Sequence, residues 1–313
     1  MLPPYVKKTC EDIKSLKIQG AREIAKAAVR AIVEQAEFSD AKTNQEFIAH
    51  LIEAADALAA TRPTEPLLRN AMRDALRFMF AQIKKSKTDD VATLKKKIKQ
   101  EASRYEETMR KNKEKISEYG AKLLPKKCTL LLHCHSTTVV AIVKRADEMG
   151  KDIRVICTET RPRFQGRMTA LELRDAGFDV TLIVDSAVKA FMKEIDFVLV
   201  GADAITSTGE LVNKIGTYGI ATLAYYEDIP FYSAAETHKF DPLTLWGNAE
   251  EIEERDPSEV ADPKEFRGIK IRNPAFDVTP AKYIRGYITE IGIIPAQGML
   301  NAVIDKFGLR ERD

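Results

Sequence analysis

Apolar residues recur every three or four positions from the N-terminus to about Gly120, the spacing of amphipathic helices. The run TNQE at 43–46 has the spacing of a capping box, and a helix is predicted to follow it. Further helices are predicted from Pro66 through Ile83 and from Val91 to Tyr119, where Gly120 would form the C-terminal cap. The first part of the chain is therefore predicted to be helical.

The pattern changes after Leu124 to short β-rich runs that alternate with amphipathic segments, which predicts a mainly parallel sheet. The predicted strands are TLLLHC, DIRVICTE, DVTLIVD, DFVLVGA, PFYSAAE and YIRGYITE, and the predicted helices begin near Thr137, Gln165, Ser186 and Asn213. The polar, acidic stretch from Asp241 to Pro280 is predicted to be either an excursion from the domain or a covering loop. We therefore expect an α/β protein with a helical N-terminal domain over 1–124 and a sheet domain over 125–313.

Composition and charge exclude several classes of protein. The 313 residues are 44% hydrophobic and carry a formal charge of +2, so nothing global attracts nucleic acid or an anionic membrane. No apolar run reaches the roughly 20 residues of a membrane span, and no signal peptide is predicted. The four cysteines have no framework spacing and are expected to be reduced thiols in a cytoplasmic protein.

Side chains suited to chemistry follow the ends of the predicted strands. In an open parallel sheet, ligands bind outside the carboxyl ends of the strands, where helix N-termini also point. The residues predicted to converge there are Cys134, Arg161, Asp203, Asn213, Lys214 and Lys239. This set predicts an anionic substrate held by cations and backbone amides, with one thiol and one carboxylate left for chemistry.

The run HCHS leaves three interpretations open for Cys134. On a strand, His133 and His135 would face away from the thiol, and no second cluster of Cys or His completes a zinc site. A thiol at the end of a strand can equally be an inert core residue. A nearby helix N-terminus and basic side chains would instead lower the pKa of Cys134 and favour reactivity.

The other candidates also have structural alternatives. Asp203, at the mouth of an apolar strand, suits a proton donor or shuttle but could equally cap a helix or form a turn. The basic run ETRPRFQGR could clamp phosphate, or one of its arginines could pair with Glu159. NKIGT at a predicted helix start is similar to a phosphate cradle. No GxGxxG follows the first strand and no GxxxxGK[ST] occurs, so a dinucleotide or Walker-type site is not predicted.

An ordered set of motifs carries a resemblance to one superfamily. The motifs are IQGARE at 18–23, then HCHS, TETRPRFQGR, LVGADAI, LVNKIGT, SAAETHKF, NPAFDVTP and ITEIGIIP. Together they resemble the superfamily that holds methylthioribose-1-phosphate isomerases, archaeal ribose-1,5-bisphosphate isomerases and the regulatory subunits of translation initiation factor 2B. The resemblance covers nearly the whole chain and implies a helical domain joined to a Rossmann-like catalytic domain.

The resemblance also implies roles for individual residues. It implies a catalytic cysteine at Cys134 and a catalytic aspartate at Asp203, a pair that the regulatory subunits generally lack. It implies substrate-binding roles for Gly20, Ala21, Arg22, Glu23, Arg62, His135, Ser136, Thr137, Arg161, Asn213, Lys214 and Lys239. GADAI differs from the GADR of methylthioribose-1-phosphate isomerases, so the implied reaction converts ribose 1,5-bisphosphate to ribulose 1,5-bisphosphate.

In the reaction that the resemblance implies, Asp203 would donate to the ring oxygen and Cys134 as thiolate would take the C2 proton. The flanking histidines would position neighbours, and neither a metal nor an organic cofactor is expected. Two alternatives stay open, a methylthioribose-1-phosphate isomerase and a non-enzymatic regulatory subunit that binds a nucleotide or sugar phosphate. The resemblance also implies a homo-oligomer, either a dimer or a hexamer, and a nucleotide effector such as AMP. The apolar stripe of Val91–Tyr119 could be an oligomer surface or intrachain core.

Overall fold

The computed structural model describes residues 2–85, 90–247 and 252–307. The chain divides into two compact units, Met1–Lys111 and Asn112–Asp313. The predicted boundary between residues 124 and 125 lies within the second unit. Within the described residues, none of the helices combines the length and the apolar character needed to cross a membrane.

The first unit is helical, as its periodicity predicts. Its helices are α1 Pro4–Lys14, α2 Ala21–Phe38, α3 Asn44–Ala59, α4 Pro66–Lys85 and the first part of α5 Val91–Leu123. The capping box before α3 is confirmed: Thr43 Oγ1 accepts from the Glu46 N–H, and the Glu46 carboxylate accepts from the Thr43 N–H. Leu94, Ile98 and Met109 of α5 are buried in the core of this unit, so the apolar stripe is intrachain core there.

Helix α5 continues through Gly120, so the predicted C-terminal cap at this residue is wrong. A Cβ atom on Gly120 would lie 2.6 Å from Ile142 Cδ1. Glycine is therefore used here for close packing against a neighbouring side chain. A capping glycine and a packing glycine look alike in a sequence, because the difference depends on a residue that is distant along the chain.

The second unit contains two sheets and further helices. The strands are β1 Lys127–His133, β2 Asp152–Thr158, β3 Asp179–Ile183, β4 Phe197–Val200, β5 Ala204–Ile205, β6 Leu211–Lys214, β7 Phe231–Ala234, β8 Phe276–Thr279, β9 Gly286–Thr289 and β10 Gly292–Ile294. The helices are α6 Thr137–Glu148, α7 Gln165–Asp175, α8 Val188–Phe191, α9 Thr217–Tyr226 and α10 Met299–Phe307.

The main sheet has seven strands in the order β10-β9-β7-β4-β1-β2-β3. Adjacent strands in this sheet run parallel to each other, except that β9 and β10 are antiparallel. All six predicted strands belong to this sheet, which confirms a mainly parallel α/β fold. β5, β6 and β8 form a second, antiparallel sheet that the sequence pattern did not predict.

The strand order reverses between β1 and β4. From β1 the chain leads outward through β2 and β3 on one side, and later through β4, β7 and β9 on the other. Such a reversal leaves a crevice at the carboxyl ends of the two central strands, where ligands of α/β proteins bind. The residues that follow His133 and Val200 lie at this crevice.

Two predicted segments differ from the structure. The helix predicted near Asn213 begins at Thr217, because Asn213 and Lys214 belong to β6 and pair with β8. The predicted covering loop from Asp241 to Pro280 contains β8, so part of it is sheet. Residues 248–251 of that loop lie outside the described residues.

Candidate active site

Cys134 follows β1 directly and has a φ of 68°, in the left-handed region. A non-glycine residue in this conformation costs about 1–3 kcal/mol and needs surroundings that hold it there. The Cys134 N–H donates to Thr160 Oγ1 at 2.9 Å, and its carbonyl accepts from Thr169 Oγ1 at 3.0 Å. The strand alternation expected along the HCH run therefore ends at His133.

The Cys134 thiol is half-buried, and its pKa is raised to about 11. Burial is the largest cause, Lys214 opposes it and Asp203 adds to it. The prediction of a lowered pKa is therefore wrong, because lost solvation outweighs the nearby positive charge. The thiol of the ligand-free protein is protonated at neutral pH.

Lys214 provides a buried amine beside this thiol. It lies on β6, and its Nζ donates to the Ala275 carbonyl at 3.0 Å and sits 4.7 Å from the centre of the Phe276 ring. Burial lowers the pKa of Lys214, while Cys134 and Asp203 raise it. These mutual effects place amine, thiol and carboxylate within electrostatic reach of one another.

Asp203 reaches the same edge from the end of β4. Its N–H donates to the Val212 carbonyl at 2.9 Å, which ties it to the second sheet. The two central strand ends approach closely, since a Cβ atom on Gly201 would lie 3.0 Å from Ser136 Oγ. Lys239 Nζ donates to the carbonyl of Ala202, next to Asp203. The predicted convergence of Cys134, Asp203, Lys214 and Lys239 thus agrees with their places in the fold.

The N-terminus of α9 already holds a carboxylate. Asp277 on β8 accepts from the Gly216 N–H at 2.8 Å and from the Tyr218 N–H at 3.1 Å. Burial raises the pKa of Asp277 to about 6. Asn213 Nδ2 donates to Thr217 Oγ1 at 2.9 Å. The amides of Gly216 and Tyr218, which a phosphate cradle at NKIGT would use, are therefore engaged within the protein.

The remaining predicted residues of this unit lie around the two strand ends. Ser136 caps α6 with its hydroxyl, Thr137 is the exposed first residue of that helix, and His135 is half-buried beside them. Arg161 is exposed and donates to the Val260 carbonyl at 2.8 Å, so it ties the β2 end to the long loop. Substrate binding by these residues stays a prediction.

Five predicted residues lie in the first unit, at the start of α2 and after α3. Gly20 precedes α2 with a φ of 82° and Ala21 is buried. Arg22 donates to the Met109 carbonyl of α5 at 2.8 Å. Glu23 forms an ion pair with Lys26 at 2.7 Å, and Arg62 is buried. Their role in phosphate binding stays a prediction.

Arg255 was not among the predicted residues. Its largely buried guanidinium pairs with Glu253 at 3.3 Å, and its charge lowers the pKa of both Cys134 and Lys214. No sequence pattern indicates a role for it, because a single arginine in the acidic run EEIEERDPSE is typical of a solvated loop. Only folding brings it to the edge of the sheet.

Across residues 2–85, 90–247 and 252–307, no group of three or more His, Cys, Asp or Glu is arranged to hold a metal ion. All four cysteines are free. Cys128 and Cys157 are buried in the core.

Comparison with known proteins gives matches over most of the chain. Residues 17–296 match the Initiation factor 2 subunit family. The ribose 1,5-bisphosphate isomerase of Methanocaldococcus jannaschii is 46% identical over 308 residues, covering 98% of this chain and 97% of that protein.

Two solved structures from Pyrococcus horikoshii OT3 share the fold. Its translation initiation factor eIF-2B superposes with a TM-score of 0.78 at 33% identity, covering 94% of this chain and 98% of that one. Its 5-methylthioribose 1-phosphate isomerase superposes with a TM-score of 0.78 at 32% identity, covering 96% and 88%. All three classes in the predicted superfamily are thus represented among the similar proteins.

Proposed function

We propose, starting from the fact that the chain belongs to the Initiation factor 2 subunit family, that it is an isomerase that converts ribose 1,5-bisphosphate to ribulose 1,5-bisphosphate. The observation that carries the proposal is the placement of the Cys134 thiol, the Asp203 carboxylate and the Lys214 amine within electrostatic reach at the strand-order reversal. The high identity to an archaeal relative with that name supports the choice of substrate.

The chemistry needs one acid and one base, each used twice. A sugar with phosphate on its C1 oxygen has no free aldehyde, so the ring must open first. Protonated Asp203 gives its proton to the ring oxygen as the bond from C1 to that oxygen breaks, and the Cys134 thiolate removes the proton from C2. The resulting enol phosphate receives the thiol proton at C1 while the Asp203 carboxylate takes the proton of the C2 hydroxyl. Both residues then return to their starting states.

The raised pKa of Cys134 sets a condition on this scheme. Burial favours the protonated thiol, so Cys134 must give up its proton before it can act as the base. Loss of that proton when the substrate binds creates the thiolate. The positive charge of Lys214 favours it, because it stabilises a thiolate and later the charge that develops on the enol oxygen.

A turnover assay with ribose 1,5-bisphosphate tests the proposal. We expect conversion by the parent protein and a loss of at least about a thousandfold in kcat/KM for Cys134→Ser and Asp203→Asn, the size usual for removal of a catalytic acid or base. Cys128→Ser, a buried core thiol in β1, is the matched control and should keep its activity. A parent protein that binds the sugar without turnover would refute the enzymatic role.

The route of the hydrogen atom needs a separate measurement. Substrate with deuterium at C2 should lose at least part of that label to solvent if Cys134 carries the proton, because the thiol can exchange with water before it returns a proton to C1. Complete retention of the label at C1 of the product would count against proton transfer through Cys134 and favour a hydride shift.

The alternative substrate is methylthioribose 1-phosphate, which the structural similarity to an isomerase of that name favours. Running both sugars in parallel compares their kcat/KM values directly. A higher value for the methylthio sugar would replace the bisphosphate assignment and leave the thiol–carboxylate chemistry unchanged.

We further propose that the protein assembles as a homo-oligomer and responds to a nucleotide such as AMP. Light scattering after gel filtration measures the mass against the 35.1 kDa of one chain. The assay with and without AMP measures the effector. A monomer at working concentration would refute the proposed assembly. Identical kinetics with and without AMP would refute the proposed effector.

A further inference from the structure

The two histidines beside Cys134 each contact a hydroxyl that has a second partner. His135 Nδ1 lies 3.0 Å from Thr169 Oγ1, and His133 Nδ1 lies 2.6 Å from Thr158 Oγ1. A hydroxyl has one proton to donate, so its second contact decides which way the first one runs. The proton on each imidazole ring can therefore be worked out from the partners.

For His135 the deciding partner is the Cys134 carbonyl. A carbonyl only accepts, so the hydroxyl proton of Thr169 is donated to Cys134 at 3.0 Å. Thr169 Oγ1 must then accept from His135, which places the ring proton on Nδ1. His135 Nε2 is left as an acceptor on the side away from Thr169.

For His133 the ring proton lies on the other nitrogen, Nε2. Nε2 lies 2.9 Å from the Ile215 carbonyl, so this nitrogen carries the ring proton. In a neutral ring Nδ1 is then an acceptor, and Thr158 Oγ1 donates to it. Burial lowers the pKa of both His133 and His135, which agrees with two neutral rings.

The same reasoning extends from His133 to the Cys134 backbone. The Thr158 hydroxyl proton is committed to His133, so across the 3.2 Å contact between Thr158 Oγ1 and Thr160 Oγ1 the donor is Thr160, whose proton is shared with the Thr158 carbonyl at 3.4 Å. Thr160 Oγ1 in turn accepts from the Cys134 N–H at 2.9 Å. One directed chain thus runs from the Cys134 amide through two hydroxyls and the His133 ring to the carbonyl of Ile215.

The last acceptor of this hydrogen-bond series, the Ile215 carbonyl, lies next to Lys214 in the sequence. Ile215 follows Lys214 directly, and a Cβ atom on Gly216 would lie 3.2 Å from His133 Nε2, so the ring packs closely against this turn. Thr160 is itself left-handed, with a φ of 62°, and its N–H donates to Asp185 at 2.7 Å. The hydrogen bonds therefore hold the backbone beside both the thiol and the amine.

We propose that His133 and His135 are a pair of positioning residues, fixed as opposite neutral tautomers, which hold Cys134 in its left-handed conformation through the hydroxyls of Thr160 and Thr169. The proposal rests on the proposed function only for its effect on turnover. The tautomers follow from the hydrogen bonds together with the burial of the two rings, and the backbone geometry follows from the hydrogen bonds.

The first experiment reads the tautomers directly. In protein labelled with [15N]histidine, two-bond nitrogen–proton correlation spectra distinguish a ring protonated at Nδ1 from one protonated at Nε2. We expect the Nε2–H form for His133 and the Nδ1–H form for His135, assigned by the signals that move in Thr158→Val and Thr169→Val. The same tautomer for both rings, or a charged ring at pH 7.5, would overturn the proposal, whatever the substrate is.

The second experiment tests the effect on Cys134 with an isosteric variant that lacks the hydroxyl. Thr169→Val should lower kcat about tenfold to a hundredfold with KM held within about twofold, since displacement of a reacting group by about 1 Å costs this much. Thr169→Ser, which keeps the hydroxyl, should restore kcat to within about threefold of the parent. A valine variant with parental kcat, or a serine variant as slow as valine, would refute the positioning role.

The matched control is Thr279→Val on β8. Thr279 is also fully buried, but its Oγ1 has no hydrogen-bond partner among the described residues, so loss of this hydroxyl should leave kcat unchanged.

A substrate-independent readout keeps the proposal testable if neither sugar is turned over. The rate at which iodoacetamide modifies the Cys134 peptide, followed by mass spectrometry, should change by at least about threefold in Thr169→Val and return in Thr169→Ser, because the thiolate fraction and its access govern the rate. Equal rates in all three proteins would overturn the inference.

Discussion

Replacing Lys214 by methionine separates the chemistry of the site from the stability of the fold. The substitution keeps an unbranched chain of similar volume and removes one buried positive charge. The ammonium donates to the Ala275 carbonyl at 3.0 Å, and burial lowers the pKa of Lys214, so its charged form is costly in this position. We therefore expect the ammonium of Lys214 to act in the reaction and not in the stability of the fold.

The expected effects on kcat and on the unfolding free energy differ in size. Loss of one preorganised group that stabilises developing charge lowers kcat by about a hundredfold to a thousandfold, or about 2.7–4 kcal/mol. The unfolding free energy should change far less, because the lost hydrogen bond to Ala275 contributes about 1 kcal/mol and removal of the buried charge offsets it. We therefore expect an inactive variant of nearly parental stability.

Lys306→Met provides the contrast. Lys306 pairs with Glu290, which is only 4% exposed and whose pKa that pairing holds below its usual value. Removing the lysine leaves a carboxylate buried without this partner, which should cost about 3–5 kcal/mol. Urea unfolding at pH 7.5 and kcat are measured on the parent and both variants. The reasoning fails if Lys214→Met loses as much stability as Lys306→Met, or keeps kcat within about threefold.

Three further predictions concern packing and pH. Gly166→Ala should destabilise by at least about 2 kcal/mol in urea, since its Cβ would lie 1.8 Å from the Thr158 carbonyl oxygen, whereas Gly219→Ala meets nothing within 4 Å in α9 and should stabilise by about 0.5–1 kcal/mol; equal effects would refute the argument. The folded pKa of Asp277, about 6, exceeds an unfolded value of about 3.9, so the parent should lose stability as pH rises from 4 to 6, and Asp277→Asn should remove that slope; parallel melting curves would contradict this. Burial raises the pKa of Cys157 to about 12, so parental stability should fall as pH rises above about 8.5, and less steeply in Cys157→Ala; an unchanged slope in urea titrations would count against it.

Local patterns in the sequence determined the architecture. The capping box at Thr43, the change of period after Leu124 and the six β-rich runs each depend on residues close together in the chain, and each predicted element is present. The rule that ligands bind at the carboxyl ends of parallel strands then placed Cys134 and Asp203 at one edge. These features follow from spacing, which a linear sequence records.

Contacts between distant segments decided the chemistry of the site. The left-handed conformation of Cys134 depends on hydroxyls 26 and 35 residues away, and Arg255 reaches the site from a run that its own neighbours make acidic. The pKa of the thiol rises because burial in the folded protein removes solvation from it, and this effect exceeds that of the nearby positive charges. Solvation is a property of the packed protein, so the sequence located the candidate residues and only the tertiary structure decided the direction in which the pKa of Cys134 shifts.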